Sequence, residues 1–405
     1  MKIKLDNDYL VNTLSQLVKI NSVNPDLTPG APGELEIGNY IAAQLTELGF
    51  ESEIRNIAPN RINVISLIKG SGSGSDCNSN PNPAPSLMIN VHMDTVGVAN
   101  MTDPFSATIK DGKLFGRGSF DTKAGIAAVL AMMKAIAEND IQLNGDLLLA
   151  FVADEEYGSI GTEALLANHV TDSAIVLEPT GLDICTSHKG YGLFEFTTLG
   201  KAAHGGKPSE GIDANRSMGL IMAKLDALSN NLKKVKAHPL LGKPSMHIPV
   251  IKGGSEPFTY AAQCTLQLER RTLPGELLQD LVAEYQSIIN EISLVDSDFS
   301  AKVETVMWRD PYQISHDKEI VVQLTDSIKK VTQSKPNYIA HSWWEDSGLT
   351  GKAGINTVVL GPKGSGLHTI DEWVELESVN SLAKILLNVS MTYLGTDLGA
   401  DLRTG

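Results

Sequence analysis

Several apolar runs in this chain end in side chains that can bind cations or move protons. "LMINVHMD" ends in His92 and Asp94, "LLLAFVADEE" in Asp154, Glu155 and Glu156, and "AIVLEP" brings Glu178 to its end. "LFGRGSFDTKAG" adds Asp121, and the glycine-rich "VVLGPKGSGLHTIDEW" adds His368. Each residue has an ordinary reading: Asp121 as a helix N-cap, Glu178 as a turn residue before Pro179, the acids as a solvated loop, the two histidines as structural groups. Together, two imidazoles and several carboxylates suit zinc, with cobalt or manganese fitting the same donors, better than calcium or magnesium. The carboxylates exceed what one tetrahedral ion needs, and that excess favours two ions sharing a bridging carboxylate.

Such residues must be brought together by the elements that carry them. "RINVISLI", "SLMINVHMD", "GDLLLAFVAD" and "SAIVLEP" read as strands, and "KAGIAAVLAMMKAIAEND" as a buried helix, apolar on most sides. Short apolar β-type runs separated by helices predict an α/β fold with a mostly parallel sheet covered on both faces. In such sheets ligands collect beyond the carboxyl ends of the strands, where these acids and histidines fall. From about Ile184 the pattern changes to strand, helix, strand, helix: "HKGYGLFEFTTLGKAAH", "DANRSMGLIMAKLDALSNNL", "AAQCTLQLERRTLP" and "GELLQDLVAEYQSIINEIS". The expected organisation is a discontinuous catalytic domain, residues 1–183 and 308–405, with an α+β domain at 184–307 inserted into it. Residues 70–85 are rich in Gly, Ser, Asn and Pro and read as a surface insertion without chemistry.

With 405 residues and 42% hydrophobic content, the chain is long enough for two or three domains. A formal charge of -15 argues against a nucleic-acid binder, and no basic amphipathic stretch marks a membrane surface. The N-terminus reads as an amphipathic helix, with Leu10, Leu14, Leu17 and Val18 on one side, rather than a signal peptide. No apolar run reaches membrane-spanning length. Cys77, Cys185 and Cys264 are too scattered for a disulfide framework or a thiolate site, which points to a cytoplasmic setting. The glycines of "FGRGS" lack the full dinucleotide-binding spacing.

The segments "NVHMDTV", "LFGRGSFDTKAGIAA", "ADEEYGSIG", "LEPT", "HKGYGLFEFTTLGKAAHGGKPSEGIDA", "LERRTLPGE" and "GPKGSGLHTIDEWV" occur in order along nearly the whole chain. In them the sequence resembles the acetylornithine deacetylase / succinyl-diaminopimelate desuccinylase family. These are co-catalytic zinc amidohydrolases whose relatives include aminoacylases and glutamate carboxypeptidases. The resemblance implies that His92 and Glu178 bind one zinc, Glu156 and His368 the other, and Asp121 bridges both. Glu155 would be the general base, and Asp94 would orient His92. The inserted segment would be a lid and dimerisation domain. In it His204 would reach the partner subunit's site of a homodimer and help hold the oxyanion, and Arg271, next to Arg270, would grip a substrate carboxylate.

A free glutamate beside a ligating one suits proton transfer from water to a leaving amine. A carboxylate near a ligating histidine suits the usual outer support of such ligands. One departure from the family concerns "FTYAAQC": Phe258 stands where relatives often carry a substrate-contacting asparagine. Trp343, Trp344 and Asp346 in "HSWWEDSGLT" either border the pocket or pack in a core. The expected activity is deacetylase-type cleavage of a small N-acyl amino acid. The rivals are a dipeptidase or carboxypeptidase using the same site, and a ligand-binding relative without catalysis.

Overall fold

The computed structural model describes residues 3–72 and 84–396. Cys77 and most of the 70–85 insertion lie outside them. The chain divides into two compact units. Unit 1 comprises Met1–Thr186, Ile314–Ile339 and Leu349–Gly405, and unit 2 comprises Ser187–Gln313 and Ala340–Gly348. Residues 308–313 and 340–348 thus fall with unit 2.

Unit 1 is built on a mixed sheet whose strands run in the order Glu53–Ala58, Arg61–Ile68, Leu147–Val152, Leu87–His92, Ser173–Val176, Asn356–Val359, Ile184–His188. The four central strands are mutually parallel, and the outer ones join antiparallel. Leu87–His92 and Leu147–Val152 are buried at every position. A strand covered on both faces gains from β-branched and aliphatic side chains on each side, so the apolar run is continuous rather than alternating. The covering helices include Asn7–Lys19, Ala124–Glu138 and Leu376–Leu394. Leu10, Leu14, Leu17 and Val18 are buried on the first, whose N-terminus is capped by Asp6 accepting from Tyr9 N.

Parallel register aligns the functional ends. His92 pairs with Val152, and Asn90 pairs with Val176. Glu178, two residues beyond Val176, therefore lies level with His92, and Glu155 and Glu156 follow a short step past Val152. A small antiparallel sheet in unit 1 orders Gly364–Ser365, Trp373–Glu375, Lys113–Phe115 and Thr108–Lys110. Its pairing of Trp373 with Phe115 brings the segment containing His368 against the segment leading to Asp121.

Unit 2 is a four-stranded antiparallel sheet, ordered Ser245–Gly253, Gln263–Thr272, Gly190–Leu199, Ser300–Arg309. Helices Ala214–Leu232 and Leu278–Ser293 enclose its core of Phe194, Phe196, Ile221, Leu225, Leu266, Leu268, Tyr285 and Ile289. Alternate residues of Gln263–Thr272 are buried, the period of a sheet with one covered face. Two of its strands were not expected. Ser245–Gly253 is an edge strand with an irregular register between His247 and Val250, around Pro249; proline within a sheet is confined to such edges and interrupts the strand signal. Ser300–Arg309 has no fully buried position, so apolar alternation is weak there.

Candidate metal centre

Five of the predicted ligands meet at the carboxyl ends of the unit 1 strands. His92 Nε2 lies 3.1 Å from Asp121 Oδ1 and 3.4 Å from Glu178 Oε1. His368 Nε2 lies 3.1 Å from Asp121 Oδ2 and 3.1 Å from Glu156 Oε2. Asp121 thus turns one carboxylate oxygen to each imidazole. Glu155 is close too: ligand atoms of His92, Glu155 and Glu178 lie within 4.8 Å of one another, as do those of His92, Asp121 and Glu156. His92, Asp121 and Glu178 are buried, whereas the His368 side chain remains 53% exposed. The centre is closed at its floor and open on the His368 side.

Local backbone explains part of this convergence. Asp121 sits in the turn Ser119–Lys123 with non-helical dihedrals, preceded by the left-handed Gly118. It does not cap the following helix, whose first turn has no side-chain cap. Asp154 has a φ of 71°, and just past it Glu155 N and Glu156 N donate to Asp94 Oδ1 and Oδ2 at 3.1 and 3.2 Å. Asp94 Oδ2 also accepts from Asn24 Nδ2 at 2.7 Å. Toward His92, the shorter contact of Asp94 is its backbone carbonyl, 3.0 Å from Nδ1, with the carboxylate at 3.5 Å. Asp94 therefore organises the Glu155–Glu156 turn as directly as it supports His92.

The electrostatics are those of a site short of positive charge. Among the described residues no lysine or arginine pairs with Asp121 or Glu156; their cationic partners are imidazoles. Burial opposes ionisation of Asp121, but His368 and His92 outweigh it and hold the carboxyl below its usual range. Burial and then the Asp121 charge push Glu156 up to about 7. Hydrogen bonds to Asp121 and Glu156 raise His368 to about 10. Burial disfavours the charged form of His92, yet Glu178, Asp121 and Asp94 raise it well above its ordinary value. The groups shifted here are the ones whose oxygens and nitrogens would bind a cation, and binding one would displace protons from the raised groups.

The remaining predicted residues belong to unit 2. His204 is exposed, bridged to Thr259, with its Nδ1 accepting from Gly206 N at 3.1 Å. Phe258 is 78% exposed, and its carbonyl accepts from Gly205 N at 2.7 Å. Arg270 and Arg271 take opposite faces of their strand. Arg270 is buried and paired with Glu276 at 2.6 Å; Arg271 is on the open face, paired with Glu269 and lying over the Tyr191 ring. Trp343 is exposed, Trp344 half-buried and Asp346 buried. Sequence reasoning missed Asn24, Arg117 and Glu372, which support the centre from outside; no strand-end pattern marks them.

A model of the peptidase family M20/M25/M40 matches residues 88–392. The chain belongs to that family. Among its relatives, an N-formyl-4-amino-5-aminomethyl-2-methylpyrimidine deformylase of Bacillus subtilis is 29% identical over 397 residues, covering 90% of this chain and 91% of the relative. An acetylornithine deacetylase of Buchnera aphidicola is 26% identical, covering 93% and 95%. Among solved structures, the aminopeptidase PepT of Bacillus cereus superposes with a TM-score of 0.76 at 20% identity, over 96% of this chain and 99% of that one. The family assignment makes the chain a metallohydrolase, and the superposition supports the α/β fold with its separate antiparallel sheet. Among the described residues no helix is long and apolar enough to cross a membrane.

Proposed function

We propose that this member of the family is a dinuclear, zinc-dependent amidohydrolase that removes a small acyl group from an N-acylated amino acid or related amine. One observation carries the reading: Asp121 divides its two oxygens between His92 and His368, each backed by a further glutamate. In that arrangement Asp121 would be shared by two ions, His92 and Glu178 would hold one of them, and Glu156 and His368 the other. The donor set fits zinc, and cobalt or manganese would be accepted by it. When bound, a pair of such ions lowers the pKa of water and polarises a carbonyl.

The chain's own residues supply the rest. Glu155 takes a proton from the attacking water, whose oxygen bonds to the amide carbon. The C–N bond then breaks as the proton passes to the leaving nitrogen. Asp94, through the Glu155 and Glu156 backbone N–H groups, keeps base and ligand in fixed relation. In unit 2, Arg271 is the residue assigned to a substrate carboxylate, for which its planar fork is suited; its position on the open face, with Arg270 engaged by Glu276, favours it over its neighbour. His204 is assigned to oxyanion stabilisation across a homodimer, in a cytoplasmic enzyme.

Deacylation is preferred to peptide cleavage because the sequence relatives above, a deformylase and a deacetylase, act on acyl groups of one or two carbons. The decisive experiment is a panel of N-formyl and N-acetyl amino acids and amines against dipeptides, run on the zinc-loaded protein. Turnover of the acyl compounds alone supports the reading, turnover of dipeptides alone converts it to a dipeptidase, and stoichiometric metal without turnover of either points to a binding protein. Glu155→Gln is expected to keep both metals and lose about 10²–10⁴-fold in kcat; full activity would reject the base. Mixing inactive His204→Ala and Glu155→Gln chains should restore partial activity if His204 acts across a dimer.

A further inference from the structure

Four residues beyond His368, Glu372 is wholly buried. Its Oε2 accepts from Arg117 Nη1 at 2.6 Å and from Gly118 N at 2.9 Å. Its Oε1 accepts from Phe120 N at 2.9 Å and Asp121 N at 3.1 Å. One carboxylate therefore takes four donors from the stretch 117–121, which leads into and includes Asp121. Arg117, itself buried, donates its other groups to Thr369 O at 3.0 Å and Gly97 O at 3.2 Å. Thr369 is the residue next to His368, and Gly97 follows Val96, whose N–H donates to Glu156 Oε1 at 3.3 Å.

The Glu372–Arg117 pair thus connects the segments that carry Asp121 and His368, and it reaches Glu156 through the Val96–Gly97 stretch. None of the three is held by the register of the central parallel strands at its own position, as His92 is. The loop around His368 is exposed, and His368 has a φ of 57°. Beyond this tie, these segments are joined by the Trp373–Phe115 strand pairing and by the Glu156 N–H to Asp94.

We propose that Glu372 is a positioning residue for the two-ion centre: through the 118–121 backbone and Arg117 it sets the distance between the shared carboxylate of Asp121 and the imidazole of His368. The proposal rests on the two-ion reading above. It assigns Glu372 no contact with substrate and no proton transfer.

Glu372→Gln separates this role from a packing role. Glutamine has nearly the same volume, but one carboxylate oxygen becomes an NH₂ donor. Either choice of amide orientation then points a donor at two donors: Arg117 and Gly118 N, or Phe120 N and Asp121 N. The metal-free protein, prepared with a chelator, is titrated with Co²⁺ by calorimetry and visible absorption, which reads the ligand field as well as the number of ions. Wild type is expected to take up two ions. Glu372→Gln should bind at least one of them about 10–100-fold more weakly, the usual effect of losing an outer hydrogen-bond partner of a metal ligand, with an altered cobalt spectrum.

Ile385→Ala, a cavity in the buried face of the C-terminal helix, serves as the control. It should lower Tm while leaving both affinities and the spectrum unchanged. If Glu372→Gln cannot be obtained folded, Arg117→Lys carries the test, because an ammonium cannot reach Glu372, Thr369 and Gly97 together; it should weaken one ion selectively. Two ions bound with wild-type affinity and spectrum by the folded variant would overturn the proposal. A wild type that takes up fewer than two ions would instead overturn the two-ion reading on which it stands.

Discussion

Two acidic clusters lie side by side in unit 1, and they solve the same electrostatic problem differently. In the first, the Arg61 guanidinium binds Glu34 through Nε at 2.7 Å and Nη2 at 2.9 Å, Asp154 through Nη2 at 2.7 Å, and Asp26 through Nη1 at 2.6 Å. In the second, the ion pairs of Asp121, Glu156 and Glu178 include the imidazoles of His92 and His368. Asn24 stands between them, its amide donating to Asp94 at 2.7 Å and Asp154 at 2.9 Å. A buried carboxylate needs a compensating charge. The first cluster carries it permanently in a fork that never deprotonates. The second uses groups that can exchange a proton for a metal ion. The run Asp154–Glu155–Glu156 is split accordingly: Asp154 belongs to the closed cluster, its two neighbours to the open one.

The contrast can be broken most severely at Asp121. Asp121→Ala removes the one side chain that serves both halves, and the expected result is loss of at least one of the two ions with a fall in kcat of about 10³-fold or more, since metal activation of water and carbonyl is worth several kcal/mol. Metal analysis beside steady-state kinetics checks it; two retained ions would show that the clusters differ less than their geometry implies. Arg61→Ala attacks the closed cluster instead. Stranding Glu34 and Asp154 in the interior should cost about 3–5 kcal/mol of stability, read by denaturant unfolding, while the folded variant still binds two ions.

A smaller effect separates the clusters by pH. In the metal-free protein His368 is raised from 6.5 to about 10. The stabilisation from its protonated form is therefore fully present below about pH 6.5 and lost as pH rises through about 10. Metal uptake must displace that proton, so affinity should rise with pH over the same window, and calorimetry in buffers of different ionisation enthalpy should register proton release. Pairing of a metal titration with no released proton would contradict the raised imidazole. The mildest perturbation is Asn24→Ala, which removes the shared donor and should cost about 1–3 kcal/mol without abolishing either cluster; thermal unfolding of the metallated and metal-free forms would show which cluster depends on it more.

Much of the centre was legible because strand ends in a parallel sheet share one edge. His92, Glu155, Glu156 and Glu178 each follow an apolar run, and the register of Leu87–His92 with its neighbours brings them level. Asp121 was harder to place, since an aspartate before a helix is usually a cap; here the helix begins at Ala124 and the aspartate is turned inward. The closed cluster was not legible at all. Arg61 opens an ordinary-looking strand and Glu34 precedes an ordinary helix, and nothing in either stretch announces a partner in the other. The two less apolar strands of unit 2 were missed for a related reason: an edge strand broken by Pro249 and a strand without buried positions carry little periodic signal.

The residue order of this chain dictates the types of group available, the apolar runs that become central strands, and the fact that acids and histidines terminate them. These follow from local burial and from period-two and helical patterning, which a linear string carries. Which acid meets arginine and which meets imidazole, and that Glu372 ties the Asp121 turn to the His368 loop, emerged only on folding. Those pairings join segments up to 255 residues apart, and their energies depend on distance and desolvation in three dimensions, quantities that no local pattern encodes.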